Sequence, residues 1–222
     1  MRDMFDFHTH TLISDGDLIP AESVRRAETC GYRILGFSDH SDLATLPTQM
    51  AILVAAARAE SREGLTVLPG TEVTHVMPER IGETVRLARE LGAVYVVVHG
   101  ETLSEPVAAG TNRAAIEAGV DILAHPGLIT EEEVRLAAER GVMLEISGRK
   151  GHCLANGHVA RLARECGAEL LFGSDAHTVG DMATRDFAER VCFGAGLSRD
   201  EVDAMFARAE AFGRRLAGEF AR

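Results

Sequence analysis

Six of the nine histidines in this 222-residue chain stand just past a short apolar run. Phe5-Asp6-Phe7 leads into His8-Thr9-His10, and Ile34-Leu35-Gly36-Phe37 into Ser38-Asp39-His40. Residues 94–98 end at His99 and residues 120–124 at His125. Residues 170–172 lead into Gly173-Ser174-Asp175-Ala176-His177. The carboxylates Asp15, Glu72 and Asp175 share this setting. Side chains two apart on a strand point to one face, so His8 and His10 can reach a single ion. One such histidine is an ordinary core or surface residue, but the same accident repeated about seven times is not a credible origin. Imidazole and carboxylate donors without thiolate suit Zn²⁺, Mn²⁺ or Fe²⁺. The nine candidates His8, His10, Asp15, His40, Glu72, His99, His125, Asp175 and His177 are too many for one tetrahedral ion and suit two or three. Cys153 lies outside the pattern.

The elements that must position these residues alternate along the chain. Strand-like runs cover residues 4–7, 34–37, 66–68, 94–98, 121–124, 142–146 and 170–172. Several are apolar throughout, as parallel strands buried on both faces are. Helical patterns fall between them, over 20–30, 49–63, 79–91, 112–118, 130–141 and 157–166, and most stop at a glycine. The expected fold is α/β, a distorted barrel of seven β/α units. A barrel is preferred to a doubly wound sheet because chemical residues follow nearly every strand instead of gathering at one switch point. The whole chain, 1–222, reads as one domain. Its C-terminal helices, about 181–220, include one opened by a capping box at Ser198-Arg199-Asp200-Glu201, with Phe206, Phe212, Leu216 and Phe220 on its packing face.

Hydrophobic residues make up 46% and charged residues 26% of the chain, as in a soluble globular protein. The net charge of −11 argues against general binding to nucleic acid backbone or anionic membrane. The start lacks a signal-peptide apolar core, and no run approaches the ~18 apolar residues of a membrane span. Cys30, Cys153, Cys166 and Cys192 form no CxxC pair and read as reduced thiols. The expected location is cytoplasmic.

The ordered set His8-Thr9-His10, Ser14-Asp15-Gly16, Ser38-Asp39-His40, Gly70-Thr71-Glu72, His99, Ala124-His125-Pro126-Gly127 and Ser174-Asp175-Ala176-His177 resembles the PHP family, the polymerase and histidinol phosphatase metallohydrolases. The resemblance spans His8 to His177. It implies a distorted seven-stranded barrel with a trinuclear metal centre. By motif, His8, His10, Glu72 and Asp175 would hold one ion. Glu72 would bridge to a second, completed by His99 and His125. Asp15, His40 and His177 would hold the third, Asp15 standing where other members can carry histidine.

Three divalent ions against three carboxylates leave a cleft charge of about +3, which favours phosphate. The resemblance and this charge imply a phosphoesterase acting on a mono- or diester, with metal-bound hydroxide as nucleophile. The partner is then a small phosphorylated substrate or nucleotide. Arg149, Lys150 and His152, on the loop after residues 142–146, are candidate substrate contacts, against a solvated-loop alternative. Glu101, just past His99, is a candidate proton donor. Asp39 could orient an imidazole or cap a turn. Glu145 faces the mouth if strand parity is right. His152 and His158 could line the pocket or cap the next helix, and His75, three residues past Glu72, reads as a surface residue, with substrate contact as the alternative. Two other readings stand: a metallohydrolase of C–N or carboxyl ester bonds, and a noncatalytic metal-stabilised module of the same family.

Overall fold

The computed structural model describes residues 2–221. Strands β1 (Met4–Asp6), β2 (Tyr32–Phe37), β3 (His40–Ser41), β4 (Thr66–Val73), β5 (Tyr95–His99), β6 (Ile122–Ala124), β7 (Met143–Ser147) and β8 (Leu170–Gly173) are all parallel. Seven of them run around a nearly closed barrel in the order β1-β2-β4-β5-β6-β7-β8, and β3 pairs with β4. The helices are α1 (Pro20–Thr29), α2 (Leu46–Glu60), α3 (Pro78–Glu90), α4 (Thr111–Glu117), α5 (Glu131–Arg140), α6 (Asn156–Cys166), α7 (Arg185–Gly194) and α8 (Arg199–Phe220). The expected β/α barrel is therefore the observed architecture.

β5 and β7 are buried along their whole length, as strands of a covered parallel sheet are. The last gap in the barrel, between β1 and β8, is bridged by backbone. Asp175 N–H donates to the His8 carbonyl (2.9 Å) and His10 N–H to the Ala176 carbonyl (2.8 Å), with Thr9 facing Ala176 in parallel register. This seam places two pairs of site residues side by side.

Three differences from the sequence reading have physical causes. β3 is two residues long and follows the Ser38-Asp39 interruption of β2. It exists because Glu72 and Val73 of β4 offer it a ladder, which no local periodicity announces. Helix α2 begins three residues before the expected start because Pro47 fits its first turn, and it ends at Glu60. In the last expected stretch before the C-terminal helix, residues 179–181 form a 3₁₀ turn. α7 starts only after Thr184, whose side chain accepts from Phe187 N–H. The capping boxes at Thr130–Glu133 and Ser198–Glu201 are both formed.

α8 packs on β1, β4 and β8 and buries Phe206, Phe212 and Leu216. Phe7 stacks edge-on with both Phe212 (4.9 Å) and Tyr95 (5.8 Å). The Tyr95 ring fills the space left by Gly36 and Gly70, and its hydroxyl donates to the Phe37 carbonyl at 2.8 Å. A Cβ at Gly70 would lie 2.3 Å from that ring, which its hydrogen bond holds in place. Gly70→Ala is therefore expected to lower stability by about 3 kcal/mol through overpacking. Urea unfolding measures it, and an unchanged midpoint would refute this account of the interior. All four cysteines are free thiols. Among the described residues, no helix is long and apolar enough to cross a membrane.

Candidate metal centre

The carboxyl ends of the strands gather the nine expected ligands at one mouth. His8 and His10 leave β1 on an extended segment held from both sides. Thr9 N–H donates to Ser38 Oγ and Thr9 Oγ1 to the Gly36 carbonyl, while His10 is tied to Ala176 across the seam. The alternation that puts both rings on one face is thus fixed by neighbouring strands. Asp39 does not orient an imidazole. Its buried carboxylate accepts from Thr11 N–H (2.9 Å), Ser14 N–H (3.0 Å) and both hydroxyls, and so shapes the loop that carries Asp15.

Glu72, on β4, is fully buried and lies among four imidazoles. Its Oε1 is 3.3 Å from His8 Nε2 and 3.5 Å from His125 Nε2. Its Oε2 is 2.7 Å from His40 Nδ1 and 3.6 Å from His10 Nε2. Asp175 Oδ1 is 3.3 Å from His10 Nε2 and 3.6 Å from His8 Nε2, and its Oδ2 is 3.7 Å from His125 Nε2. Asp15, half-exposed, sets Oδ1 3.2 Å from His177 Nε2 and 3.6 Å from His40 Nε2. Three groups of donors with mutually close ligand atoms follow: His8, His10 and Glu72; His8, His125 and Asp175; and His10, Asp15, His40 and His177.

These residues fit divalent cations. His8 Nε2, both nitrogens of His10, both oxygens of Glu72, His125 Nδ1 and Asp175 Oδ1 are buried without a hydrogen-bond partner. Unpaired buried polar atoms are costly and rare, and seven in one place need a counter-charge. Most of the nitrogen–oxygen separations, 3.2–3.7 Å, exceed a charge-assisted hydrogen bond of about 2.7–2.9 Å. They approach the edge of a tetrahedron built on bonds of about 2.0–2.2 Å, which is roughly 3.3–3.6 Å. Burial pushes His10 down to about 3, keeping it in the neutral form that binds metal. Burial also acts to lower His8, but Glu145, Glu72 and Asp175 outweigh it and raise that group well above its ordinary value.

Glu145 has the parity that brings it to the mouth. Its Oε1 lies 2.6 Å from His8 Nδ1, and its Oε2 accepts from His125 N–H at 2.8 Å. A carboxylate on Nδ1 turns Nε2 to the ligand side. Gly173 leaves the room, since a Cβ there would stand 1.7 Å from Glu145 Oε1.

Other expected contacts divide. The Arg149 guanidinium donates to the Asp175 carbonyl (3.0 Å) and meets His177 Nδ1 (2.7 Å), so it does face the site. Lys150 lies exposed at the rim beside it. His152 is brought to the expected ligands: its ring stacks on His125 at 4.1 Å, and one of its nitrogens groups with those of His99 and His125. His158 is turned away and meets the Ile129 carbonyl at 2.7 Å. Glu101 turns to the start of α4, where its Oε1 accepts from Gly110 N–H and Asn112 N–H, both at 3.0 Å. The carboxylate that enters the site from this loop is Glu105, which sequence reading missed. It lies six residues past β5 and shows no spacing signal, because the fold of the loop alone brings it back.

A cavity of about 400 Å³ opens beside the third group, lined by Asp15, His40, Thr74, His75 and Glu105 among others.

No protein-family model matches the chain. It is 42% identical over 203 residues to the uncharacterized protein MJ1295 of Methanocaldococcus jannaschii, covering 90% of this chain and 93% of that one. It is 30% identical over 229 residues to the probable phosphatase Teth514_1060 of Thermoanaerobacter sp. (strain X514), covering 91% and 90%. A probable phosphatase of Shewanella halifaxensis is 28% identical, with 86% and 84% covered. Among solved structures, a Xaa-Pro dipeptidase with bound methionine superposes with a TM-score of 0.61 at 14% identity, covering 90% of this chain and 72% of that one. The N6-methyl-AMP deaminase from Arabidopsis thaliana gives 0.61 at 14% identity, with 91% and 76% covered. At such identity these two show a common barrel and nothing further.

Proposed function

Because the chain belongs to the same family as the Thermoanaerobacter probable phosphatase, we propose that it is a metal-dependent phosphoesterase of the PHP type, hydrolysing a phosphate mono- or diester at a centre of three divalent ions. The observation that carries this reading is the set of seven buried, partnerless nitrogen and oxygen atoms at the barrel mouth. His8, His10, Glu72 and Asp175 would hold one ion, Glu72, His99 and His125 a second, and Asp15, His40 and His177 a third, with Zn²⁺, Mn²⁺ or Fe²⁺ as occupants. Bound there, the ions would supply Lewis-acid charge for phosphate oxygens and ionise a water near neutral pH.

The chain's own residues do the rest. Glu145 fixes the His8 ring, Asp39 fixes the Asp15 loop, and the buried carboxylates Glu72 and Asp175 would hold cations in a molecule of net charge −11. Arg149 is the candidate phosphate grip, because its planar fork stands beside Asp175 and His177. The substrate is a small phosphorylated molecule or nucleotide, since the overall charge opposes an extended polyanion.

The test is hydrolysis of a panel of phosphate mono- and diesters by protein reconstituted with Zn²⁺, Mn²⁺ or Fe²⁺. Reaction in heavy-oxygen water should place one heavy oxygen in the released phosphate. A phosphoenzyme trapped on quenching would overturn the mechanism. Cleavage of amides or carboxyl esters alone would favour the other hydrolase chemistry. Arg149→Ala should reduce kcat/KM by roughly ten- to a hundredfold, about 1.4–2.7 kcal/mol, with metal content intact. Unchanged kinetics would leave Arg149 as a structural partner of Asp175 and His177 only.

A further inference from the structure

Three residues beyond the nine lie against the outer wall of the site. Glu105 Oε2 is 3.2 Å from His99 Nε2 and 3.2 Å from His75 Nε2, and its Oε1 is 3.4 Å from His152 Nε2. Among the described residues, no lysine or arginine pairs with Glu105.

The imidazole orientations say what stands between these atoms. His99 Nδ1 faces the Gly100 carbonyl at 3.1 Å, and a carbonyl only accepts, so Nδ1 carries the proton. Nε2 of the neutral ring is then a bare lone pair, the form in which imidazole binds metal. One ligand atom each from His75, His99 and Glu105 lies within 4.8 Å of the others, so one divalent ion could be shared by all three.

The loop is built to hold Glu105 there. Thr102 N–H donates to the Gly100 carbonyl, and Thr102 Oγ1 pairs with His152 Nδ1 at 2.7 Å. Glu101 ties the far end of the loop to α4, and Pro106 restricts the backbone of Glu105 itself. His75 adds an independent sign. Among the described residues, only His75, His125 and Asp175 are non-glycine with positive φ (53°, 26° and 53°). Such strain collects at functional positions, and the other two are expected ligands.

We infer that Glu105 is a metal ligand, donating to the divalent ion that His99 binds, with His75 completing that ion's outer side. The inference rests on the multi-ion reading above and adds a ligand to it. It also gives the loop between β5 and α4 a purpose, as the outer wall of that ion's site.

The experiment counts metal. Wild type, Glu105→Gln, His75→Asn, His99→Ala and the double variant His99→Ala/Glu105→Gln are stripped, reloaded with Co²⁺, dialysed, and read by elemental analysis and visible absorption. Asparagine at 75 keeps the left-handed backbone while falling short of the ion. Glu105→Gln should weaken one ion at least tenfold and lower occupancy by about one per chain, with an altered Co²⁺ spectrum. His75→Asn should weaken the same ion less. The double variant should lose no more than His99→Ala alone. Unchanged occupancy and spectrum in Glu105→Gln, with normal loading of wild type, would overturn this inference alone. So would an additive loss in the double variant, which would place Glu105 on a different ion. A folded wild type that takes up no Co²⁺ would overturn the multi-ion reading as well.

Discussion

Glu72→Gln is expected to release about two ions where His177→Ala releases one, and to reduce kcat/KM by about a thousandfold or more. Glu72 is fully buried, and each of its oxygens faces two imidazoles. Glutamine keeps the shape but loses the charge, and its NH₂ group turns donors toward positions that need an acceptor. His177 serves one group at the half-exposed Asp15 side, so its loss leaves the deeper donors intact. Elemental analysis of both variants after the same reconstitution decides the matter. Equal metal losses would remove Glu72 from its bridging role.

Removing the metal should abolish turnover reversibly and lower Tm by about 10 °C or more. Each ion bound at a thousand times its Kd stabilises the native state by about 4 kcal/mol, and a domain of this size shifts by roughly 2–4 °C per kcal/mol. Without cations, the carboxylates of Glu72 and Asp175 remain buried, with three of their four oxygens unpartnered. Calorimetry with and without chelator, followed by readdition of Zn²⁺ or Mn²⁺, measures both effects. Activity that survives complete metal removal, or an unmoved Tm, would refute the metal-dependent reading.

What could be read from the sequence tracks the range of the forces involved. The seven main strands were legible because parallel strands are apolar on both faces. His8 and His10 were legible because alternation along a strand is local. The capping boxes at Thr130 and Ser198 were legible because their partners lie three residues away. β3 was not, since its ladder is supplied by β4. Glu101 and Glu105 show the same limit. Both carboxylates follow β5, and only the folded loop decides that the first caps α4 and the second reaches His99. Asp39 holds a loop 25 residues earlier in the chain, and nothing in its neighbours announces that. His152 sits three residues past Arg149 on one loop. A single hydrogen bond to Thr102, fifty residues away, sends it to the imidazole cluster.

The seam between β1 and β8 also sets when this centre can come into being. His8 and His10 are synthesised more than 160 residues before Asp175 and His177. Until β8 docks, the early histidines lack both the backbone that fixes His10 and the carboxylate that faces them. An incomplete chain therefore exposes a weak two-histidine fragment and never the assembled trap. Closure of the barrel and assembly of the candidate site become one event, and a cation bound there would act as a clasp on the seam. Amide exchange at His10 and Asp175 would record that clasp opening and closing.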